Sequence, residues 1–236
     1  MRIIVNHLTR MERGYICAAG VNPDNWTHVR PVVRGRVSEK MLARNGGPFD
    51  IGAVVELGHT VDIGQAPSLE DRSFNPESAV RVDDVLPDDF WIVLRAVCKK
   101  TLRKTFGSDL QHTELSGGFH TCTLELGKGI ASLGCLIPMK MPLLYVNDRG
   151  RLRISVSDGE LPCTLPVTDL RLYEADHETP RQKVVADIVK RLARGVDVIL
   201  GVGVGRPYQK RGDPVAKHWL QVNNIHLRDN PLWKAP

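Results

Sequence analysis

Short stretches in which apolar and polar residues alternate recur along most of the chain. The longest covers residues 55–63, where the odd-numbered positions are apolar except for His59. A period of two predicts a strand with one buried face, on which His59 would be a hydrogen-bonded core residue. Shorter alternations occupy residues 3–9, 15–21, 26–32, 121–126, 152–156 and 196–204. Repeated short strands divided by turn residues are typical of small barrels and sandwiches.

Residues 88–106 predict the first of two substantial helices. Asp88 and Asp89 suit the positive end of the helix dipole, and Gly107 can end the helix. The apolar face would consist of Phe90, Leu94, Val97, Cys98 and Leu102. The opposite face carries Arg95, Lys99, Lys100, Arg103 and Lys104. A solvated cationic face explains these residues, and a nucleic-acid contact is the alternative.

The second predicted helix begins with a capping-box pattern at residues 179–182. Thr179 would be the N-cap, Pro180 the first helical residue, and Gln182 follows three residues after the cap. The apolar stripe would consist of Val184, Val185, Ile188, Val189 and Leu192. Gly195 lies where the helix is expected to end.

The order of these elements predicts a mainly β protein with two helices, of the α+β class. Strands precede the first helix, further strands occupy residues 119–173, and a second helix and closing strands follow. This order indicates two β-rich units of comparable size. We place the boundary near Ser108, which gives an N-terminal domain of residues 1–107 and a C-terminal domain of residues 108–236.

Length and composition are those of an ordinary globular protein. The 236 residues are 42% apolar and 25% charged, enough for one large or two small domains. Lys and Arg number 32 against 27 Asp and Glu, a net charge of +5. That balance permits a polyanionic partner without requiring one, so the local placement of cations matters more than the total.

The five cysteines are widely spaced and include no Cys-x-x-Cys pair, so we expect neither a zinc knuckle nor a disulfide framework. The first residues enter a strand pattern directly, and no run of about 18 apolar residues occurs. We therefore expect a cytoplasmic protein with reduced thiols and no membrane association. We also expect no metal and no cofactor.

The strongest functional signal lies in residues 218–227, which combine aromatic, imidazole and carboxamide side chains in one strand-like segment. A cationic loop at residues 206–211 precedes it. Such side chains stack on bases, bond to base edges and neutralise phosphates. The candidate residues of this region are Arg206, Tyr208, Lys210, Arg211, His218, Trp219, Gln221, Asn223 and Asn224. The alternative is an ordinary core strand with Trp219 buried.

The apolar phase of this segment changes within it. Leu220 and Val222 occupy even positions, whereas Ile225 and Leu227 occupy odd ones. This shift predicts a β-bulge at Asn223-Asn224. Bulges re-aim side chains at functional sites and also supply curvature in closed barrels, and both interpretations remain open here.

A second cationic strand is predicted at residues 149–156. Its even positions are apolar, whereas Arg151 and Arg153 point to the other face. Residues two apart on a strand are roughly 6.6 Å apart, near the phosphate spacing of an extended single strand. Plain solvent exposure explains the two arginines equally well.

Two glycine-rich runs, residues 127–134 and 201–205, do not match nucleotide-binding motifs. No helix follows the second run directly, and the first lacks the Gly-Lys-Ser/Thr ending of a phosphate loop. Gly201 and Gly203 would leave a bare strip on one strand face. That strip would either admit a partner ring or allow a barrel strand to coil tightly.

Residues that could act in catalysis or bind a metal are scattered along the sequence. Glu70, Asp71, Glu125 and eight histidines are present, but no spacing joins them into a recognised metal or triad site. We predict no catalytic residues. An enzyme that processes nucleotides or nucleic acid with a metal held by Glu70, Asp71 and a histidine is the alternative.

Six segments together resemble the bacterial dual OB-fold domain family, and the resemblance covers nearly the whole chain. They are HLTRM at 7–11, GYIC at 14–17, HVRPV at 28–32, LEDR at 69–72, PVTDLR at 166–171 and HWLQVNNIHL at 218–227. The resemblance implies two tandem OB-like small β-barrels in an intracellular module that binds nucleic acid or nucleotides. It also implies protein partners in a prokaryotic defence or DNA-processing system. It transfers no catalytic residues.

Together these observations predict a non-enzymatic protein that binds single-stranded DNA or RNA by backbone contacts and stacking. Trp26, Tyr208 and Trp219 would stack on bases. Phosphates would be contacted by Arg30, Arg34, Arg36, Arg151, Arg153, Arg206, Lys210 and Arg211. His218, Gln221, Asn223 and Asn224 complete the predicted site, the three carboxamides supplying any base preference. A protein-interaction subunit is a further alternative.

Overall fold

The computed structural model describes residues 1–115, 118–210 and 212–234. The chain is mostly β with few helices, and one of its sheets curls into a half-barrel. The helices are α1 Pro87–Val97, α2 Leu102–Phe106 and α3 Gln182–Ala193. None of the helices within the described ranges has the length and apolar character needed to cross a bilayer.

The N-terminal part of the chain builds an eight-stranded sheet. Its strands are β1 Arg2–Arg10, β2 Tyr15–Val21, β3 His28–Val32, β4 Val37–Ser38, β5 Ala53–Glu56, β6 Thr60–Asp62, β7 Asp71–Phe74 and β8 Val80–Asp84. Their order is β6-β7-β3-β2-β1-β5-β8, and β4 pairs with β2. Only the β3–β7 pair is parallel among the described pairings of this sheet.

Two further sheets follow. The six-stranded sheet contains β9 Cys98–Lys99, β10 Gln111–Leu115, β11 Phe119–Leu124, β12 Leu133–Leu136, β16 Val198–Val204 and β17 His218–Leu227. Its order is β10-β11-β17-β16-β12-β9. The three-stranded sheet contains β13 Leu143–Val146, β14 Leu152–Ser157 and β15 Pro162–Pro166, paired in that order.

The buried apolar side chains form two clusters. One is built mainly from residues 3–97 and the other from residues 102–233. Buried apolar residues up to Val97 belong to the first cluster, and most of those from Leu102 onwards belong to the second. Cys135, Leu170 and Ile199 from the later part of the chain join the first cluster, so the later part of the chain packs against the first core. The division into domains at residue 107 stays a prediction.

The single helix predicted at residues 88–106 is wrong. The chain leaves the helical conformation at Cys98, where φ is −64° and ψ is 140°. Cys98 and Lys99 pair in parallel with β12, and Thr101 then caps α2 by accepting a hydrogen bond from the Lys104 N–H. The strand pairing interrupts a segment whose apolar spacing is otherwise helical. Gly107, with φ +96°, ends α2 as predicted.

The predicted start of the later helix is also wrong. α3 begins at Gln182 with Arg181 as its N-cap. The Thr179 hydroxyl instead donates to Asp176 Oδ2 at 2.5 Å, so it belongs to the preceding turn. The predicted end is confirmed, because Gly195 follows α3 with φ +80°.

The long strand predicted at residues 55–63 is broken in the middle. β5 ends at Glu56, Gly58 has φ +72°, and pairing resumes only at Thr60. A Cβ at Gly58 would lie 2.7 Å from the Ser78 hydroxyl oxygen, so this turn requires glycine. Beyond the turn, His59 and Val61 are exposed, which corrects the expectation that His59 is a core residue.

The bulge predicted in the last strand is confirmed. Gly201 is opposite Asn224, whereas the neighbouring Val202 is opposite Val222. Asn223 is therefore the extra residue of β17.

A buried ion pair fastens the turn after β15 to β17. The Asp169 carboxylate is fully buried and accepts hydrogen bonds from Arg171 Nη2 at 2.8 Å and from the Ile225 N–H at 2.9 Å. The Arg171 guanidinium also donates to the Ile225 carbonyl at 3.0 Å and lies 3.8 Å from the centre of the Trp233 ring. Removing either partner would leave the other as a buried charge without its counter-charge, which destabilises the folded state.

We expect Asp169→Asn to lower the free energy of unfolding by about 3 kcal/mol or more, because Arg171 would remain buried without its counter-charge. Urea unfolding followed by circular dichroism measures this. The exposed Asp148→Asn is the control and should change stability by less than about 0.5 kcal/mol. Equal effects of the two substitutions would contradict the assigned role of Asp169.

Candidate nucleic-acid interface

One face of the three-stranded sheet carries polar side chains, among them Arg153 of β14. Leu152, Ile154 and Val156 are buried, whereas Arg153 and Ser155 are half-buried on the other face, as the alternation predicted. Arg153 pairs across the sheet with Tyr145 of β13 and with Pro166 of β15.

A shallow groove of about 600 Å³ continues along the same face. Ser155 lines it together with Phe119, Lys140, Leu143 and Thr164. The Phe119 ring is 52% exposed, so an aromatic surface is open to solvent beside the polar strand face. The groove and Arg153 share β14, which makes one continuous surface.

The loop between β16 and β17 brings a further cation to this region. Tyr208 pairs with Lys217 at the base of the loop, and the Trp219 indole N–H donates to the Tyr208 carbonyl at 2.9 Å. The Lys210 ammonium lies 3.2 Å from the centre of the Trp219 ring. Trp219 is half-buried. It therefore supports the loop and holds Lys210 in place by a cation–π contact.

The cations Arg149, Arg151, Arg153 and Lys210 form what we call the basic cluster. Burial is the largest cause lowering the pKa of both Arg153 and Lys210. Repulsion from Arg151 and Arg149 acts in the same direction on Arg153, and repulsion from Arg153 does so on Lys210, while Asp213 opposes it. Within the described residues, no member of the basic cluster is in an ion pair. Like charges are thus concentrated here, with a partial offset from Asp213 at Lys210.

Other predicted phosphate contacts lie on the first sheet. The Arg30 guanidinium of β3 donates to Asp71 at 2.5 Å and is largely buried, so an internal carboxylate already neutralises it. Arg34 and Arg36 are exposed on the loop before β4, with Arg36 5.5 Å from the centre of the Tyr15 ring. These contacts do not join the three arginines to the basic cluster.

The remaining exposed candidates occupy loops. Trp26 is 48% exposed at the turn between β2 and β3, where its φ is +58°. Arg206 and Tyr208 are exposed in the loop after β16, and the Tyr208 ring is 62% accessible. Arg211 lies outside the described residues.

Three of the predicted site residues in β17 are buried. His218 Nδ1 lies 2.8 Å from the Gly205 carbonyl, and Asn223 accepts a hydrogen bond from Gln221 at 2.9 Å. Asn224 is fully buried and accepts from the Leu8 N–H at 2.9 Å. These internal bonds argue against base contacts by His218, Asn223 and Asn224. Gln221 is half-buried.

The glycine strip on β16 is covered rather than open. A Cβ at Gly201 would lie 2.9 Å from His7 Cε1, and one at Gly203 would lie 2.4 Å from Asn223 Nδ2. The two glycines therefore admit side chains of the same protein. No room remains there for a partner ring.

The acidic pair proposed for the alternative enzyme is used internally. Glu70 is buried, and its Oε1 accepts hydrogen bonds at 2.7 Å from the N–H groups of Ser132 and Leu133. Burial raises the pKa of Glu70, and these bonds partly offset the effect. Asp71 binds Arg30. Both carboxylates thus already bind groups of the protein itself.

One group with metal-ligating chemistry was missed by the sequence analysis. His7 of β1, His28 of β3 and Cys135 of β12 each place a ligand atom within 4.8 Å of the other two. The three residues lie on strands far apart in sequence, so no local spacing could have found them. Burial lowers the pKa of His28 to about 4 and that of His7 well below its usual value. Both imidazoles are therefore neutral at pH 7.

Comparison of the chain with protein-family models, with curated proteins and with solved structures finds no match.

His226 makes the stability of the fold sensitive to acid. Burial lowers its pKa from 6.5 to about 3, with repulsion from Arg171 as a smaller cause, and its Nε2 lies 3.0 Å from the Asn6 carbonyl. Between these two pH values the unfolded chain binds a proton that the folded chain does not. The contribution of His226 is therefore present above pH 6.5 and is lost as the pH falls towards 3.

We expect the free energy of unfolding to fall on acidification by about 1.4 kcal/mol for each pH unit through which His226 stays neutral only in the folded state. Urea unfolding at several pH values between 7 and 4 measures the slope. His226→Gln should make the slope shallower, whereas the exposed His59→Gln should leave it unchanged. An identical slope in all three proteins would refute this assignment.

Proposed function

We propose that this protein binds single-stranded nucleic acid along the exposed face of the three-stranded sheet. The bound nucleic acid would run from the basic cluster into the groove beside Phe119. We further propose that the two β-rich units, residues 1–107 and 108–236, are tandem OB-like barrels. The two apolar clusters and the curled sheet support this arrangement. OB barrels bind oligonucleotides across a strand face and its adjoining loops.

The observation that carries the proposal is the convergence of Arg151 and Arg153 with Lys210 from a distant loop. Arg151 repels Arg153, and Arg153 repels Lys210, which Asp213 attracts. Among the described residues, no carboxylate is in an ion pair with any of the three cations. A phosphate backbone supplies the missing negative charge and releases its own counterions on binding.

Aromatic rings flank the cations and suit the bases. Tyr208, in the loop that carries Lys210, and Phe119, in the lining of the groove, are both more than half exposed. Stacking on such rings tolerates any base sequence because every base has a π-face. Trp219, with Lys210 above its ring, positions a cation and leaves the principal stacking to Tyr208.

Removing cations should reduce the salt dependence of binding. We expect the double variant Lys210→Ala/Arg151→Ala to lower the slope of log affinity against log salt by about 1.4, since each phosphate contact in a single strand contributes about 0.7. Fluorescence anisotropy with labelled DNA and RNA oligonucleotides measures this.

The matched control for this experiment is Lys183→Ala/Lys190→Ala, which removes the same charge from the exposed side of α3. Its slope should equal that of the unaltered protein. Absence of oligonucleotide binding at low salt would eliminate the proposed function. An equal loss in the two double variants would show that only net charge matters.

Replacing the exposed ring should weaken binding without unfolding the protein. We expect Tyr208→Ala to lower oligonucleotide affinity by about 1–3 kcal/mol, the usual contribution of one stacked base. Tyr208→Phe keeps the ring and should bind almost as well as the unaltered protein. If Tyr208→Ala retains full affinity, Tyr208 does not stack on a base.

A further inference from the structure

Three metal-ligating side chains meet where the first sheet contacts the second. His7 comes from β1, His28 from the first residue of β3 and Cys135 from β12. Their ligand atoms lie within 4.8 Å of one another, and the His7 and His28 ring centres are 5.3 Å apart at an interplanar angle of 64°. Edge-on rings of this kind can direct ring nitrogens to a common point.

The His7 imidazole lacks a hydrogen-bond partner in the part of the chain that the structure describes. It is 1% exposed, and neither ring nitrogen has a hydrogen-bond partner among the described residues. Buried polar groups in folded proteins are nearly always satisfied, so an orphaned imidazole inside a ligand cluster points to a missing binding partner. A cation supplies one directly, because a neutral imidazole offers a lone pair.

Asn6 marks the position of that cation. Its amide nitrogen lies 3.2 Å from His28 Nε2 and 3.5 Å from Cys135 Sγ, while its buried Oδ1 has no partner among residues 1–115, 118–210 and 212–234. The positive end of the amide thus faces the same two lone pairs that a metal ion would take. Turning the amide exchanges its oxygen and nitrogen and presents Oδ1 to the ion as an oxygen ligand.

We propose that His7, His28 and Cys135 bind one divalent transition-metal ion of the zinc class. Two imidazoles and one thiolate form a donor set that Zn²⁺ accepts, with bonds of about 2.0–2.1 Å to nitrogen and about 2.3 Å to sulfur. Tetrahedral bonds of that length bring ligand atoms to about 3.5 Å from one another. The cluster reaches this geometry by a contraction of about 1 Å.

The bound ion joins elements that are distant in sequence. β1 and β3 belong to the first sheet, whereas β12 lies in the second. Cys98, the Cα partner of Cys135 on β9, lies beside the site but outside the group of three. The metal therefore links the two sheets, and its three ligands are not members of the basic cluster or of the groove lining.

The test uses the full-length chain without a histidine tag. Titration with Co²⁺ should produce a thiolate-to-cobalt charge-transfer band and intense visible bands typical of four-coordinate cobalt. After equilibration with Zn²⁺ and gel filtration, plasma mass spectrometry should find one zinc per chain. A chromogenic chelator then measures zinc affinity by competition.

Two substitutions identify the ligands. Cys135→Ala should abolish the charge-transfer band, whereas Cys163→Ala, a buried cysteine of the other cluster, should retain it. His28→Asn should weaken zinc binding by more than the about 10–100-fold that loss of an outer-shell partner costs. His59→Asn, at an exposed histidine, should leave zinc affinity unchanged.

The unaltered protein keeps the proposal testable if a ligand variant fails to fold. No cobalt charge-transfer band and no retained zinc in that protein would overturn the proposal. A band that persists in folded Cys135→Ala, or disappears in folded Cys163→Ala, would also overturn it. Loss of metal binding with unchanged oligonucleotide binding would leave the proposed function untouched.

Discussion

Two buried polar side chains of the last strand hold the first strand of the chain in place. The Asn224 amide accepts from the Leu8 N–H and donates to the Leu8 carbonyl, and His226 Nε2 lies 3.0 Å from the Asn6 carbonyl. These bonds satisfy backbone groups of β1 beyond Ile4, where its pairing with β5 ends while its pairing with β2 continues. Losing such a buried partner costs about 1–3 kcal/mol per group. The packing of β1 against β17, and the position of His7 between Asn6 and Leu8, depend on them.

The exposed face of the three-stranded sheet follows a different constraint. β14 must bury Leu152, Ile154 and Val156, and the strand period of two then places Arg153 on the opposite, half-buried face. Nothing in the packing requires Lys210 to approach those arginines. It does so because Trp219 fixes the loop through Tyr208. A concentration of charge that packing does not demand is what an interface with a polyanion needs.

Local patterns predicted much of the β architecture and failed where distant segments meet. The alternation in β14, the phase shift at Asn223 and the helix-ending Gly195 are set by neighbouring residues and were predicted correctly. Helical spacing could not reveal that Cys98 pairs with β12, which divides the predicted helix. The metal-ligating group was invisible for the same reason, since its members come from strands that only the tertiary fold brings together.

The bulge at Asn223 sets which side chains of β17 face the second core and which face β1 and the loop after β16. Before it, Leu220 and Val222 face the second core while Trp219 lies on the other, partly exposed face; after it, Ile225 and Leu227 face that core. The one extra residue therefore places Asn224 and His226 on the same face as Trp219. Without it, both polar side chains would point into the apolar cluster, at a cost of several kcal/mol. One inserted residue thus lets a single strand position the Trp219 loop at one end and bind β1, beside His7, at the other.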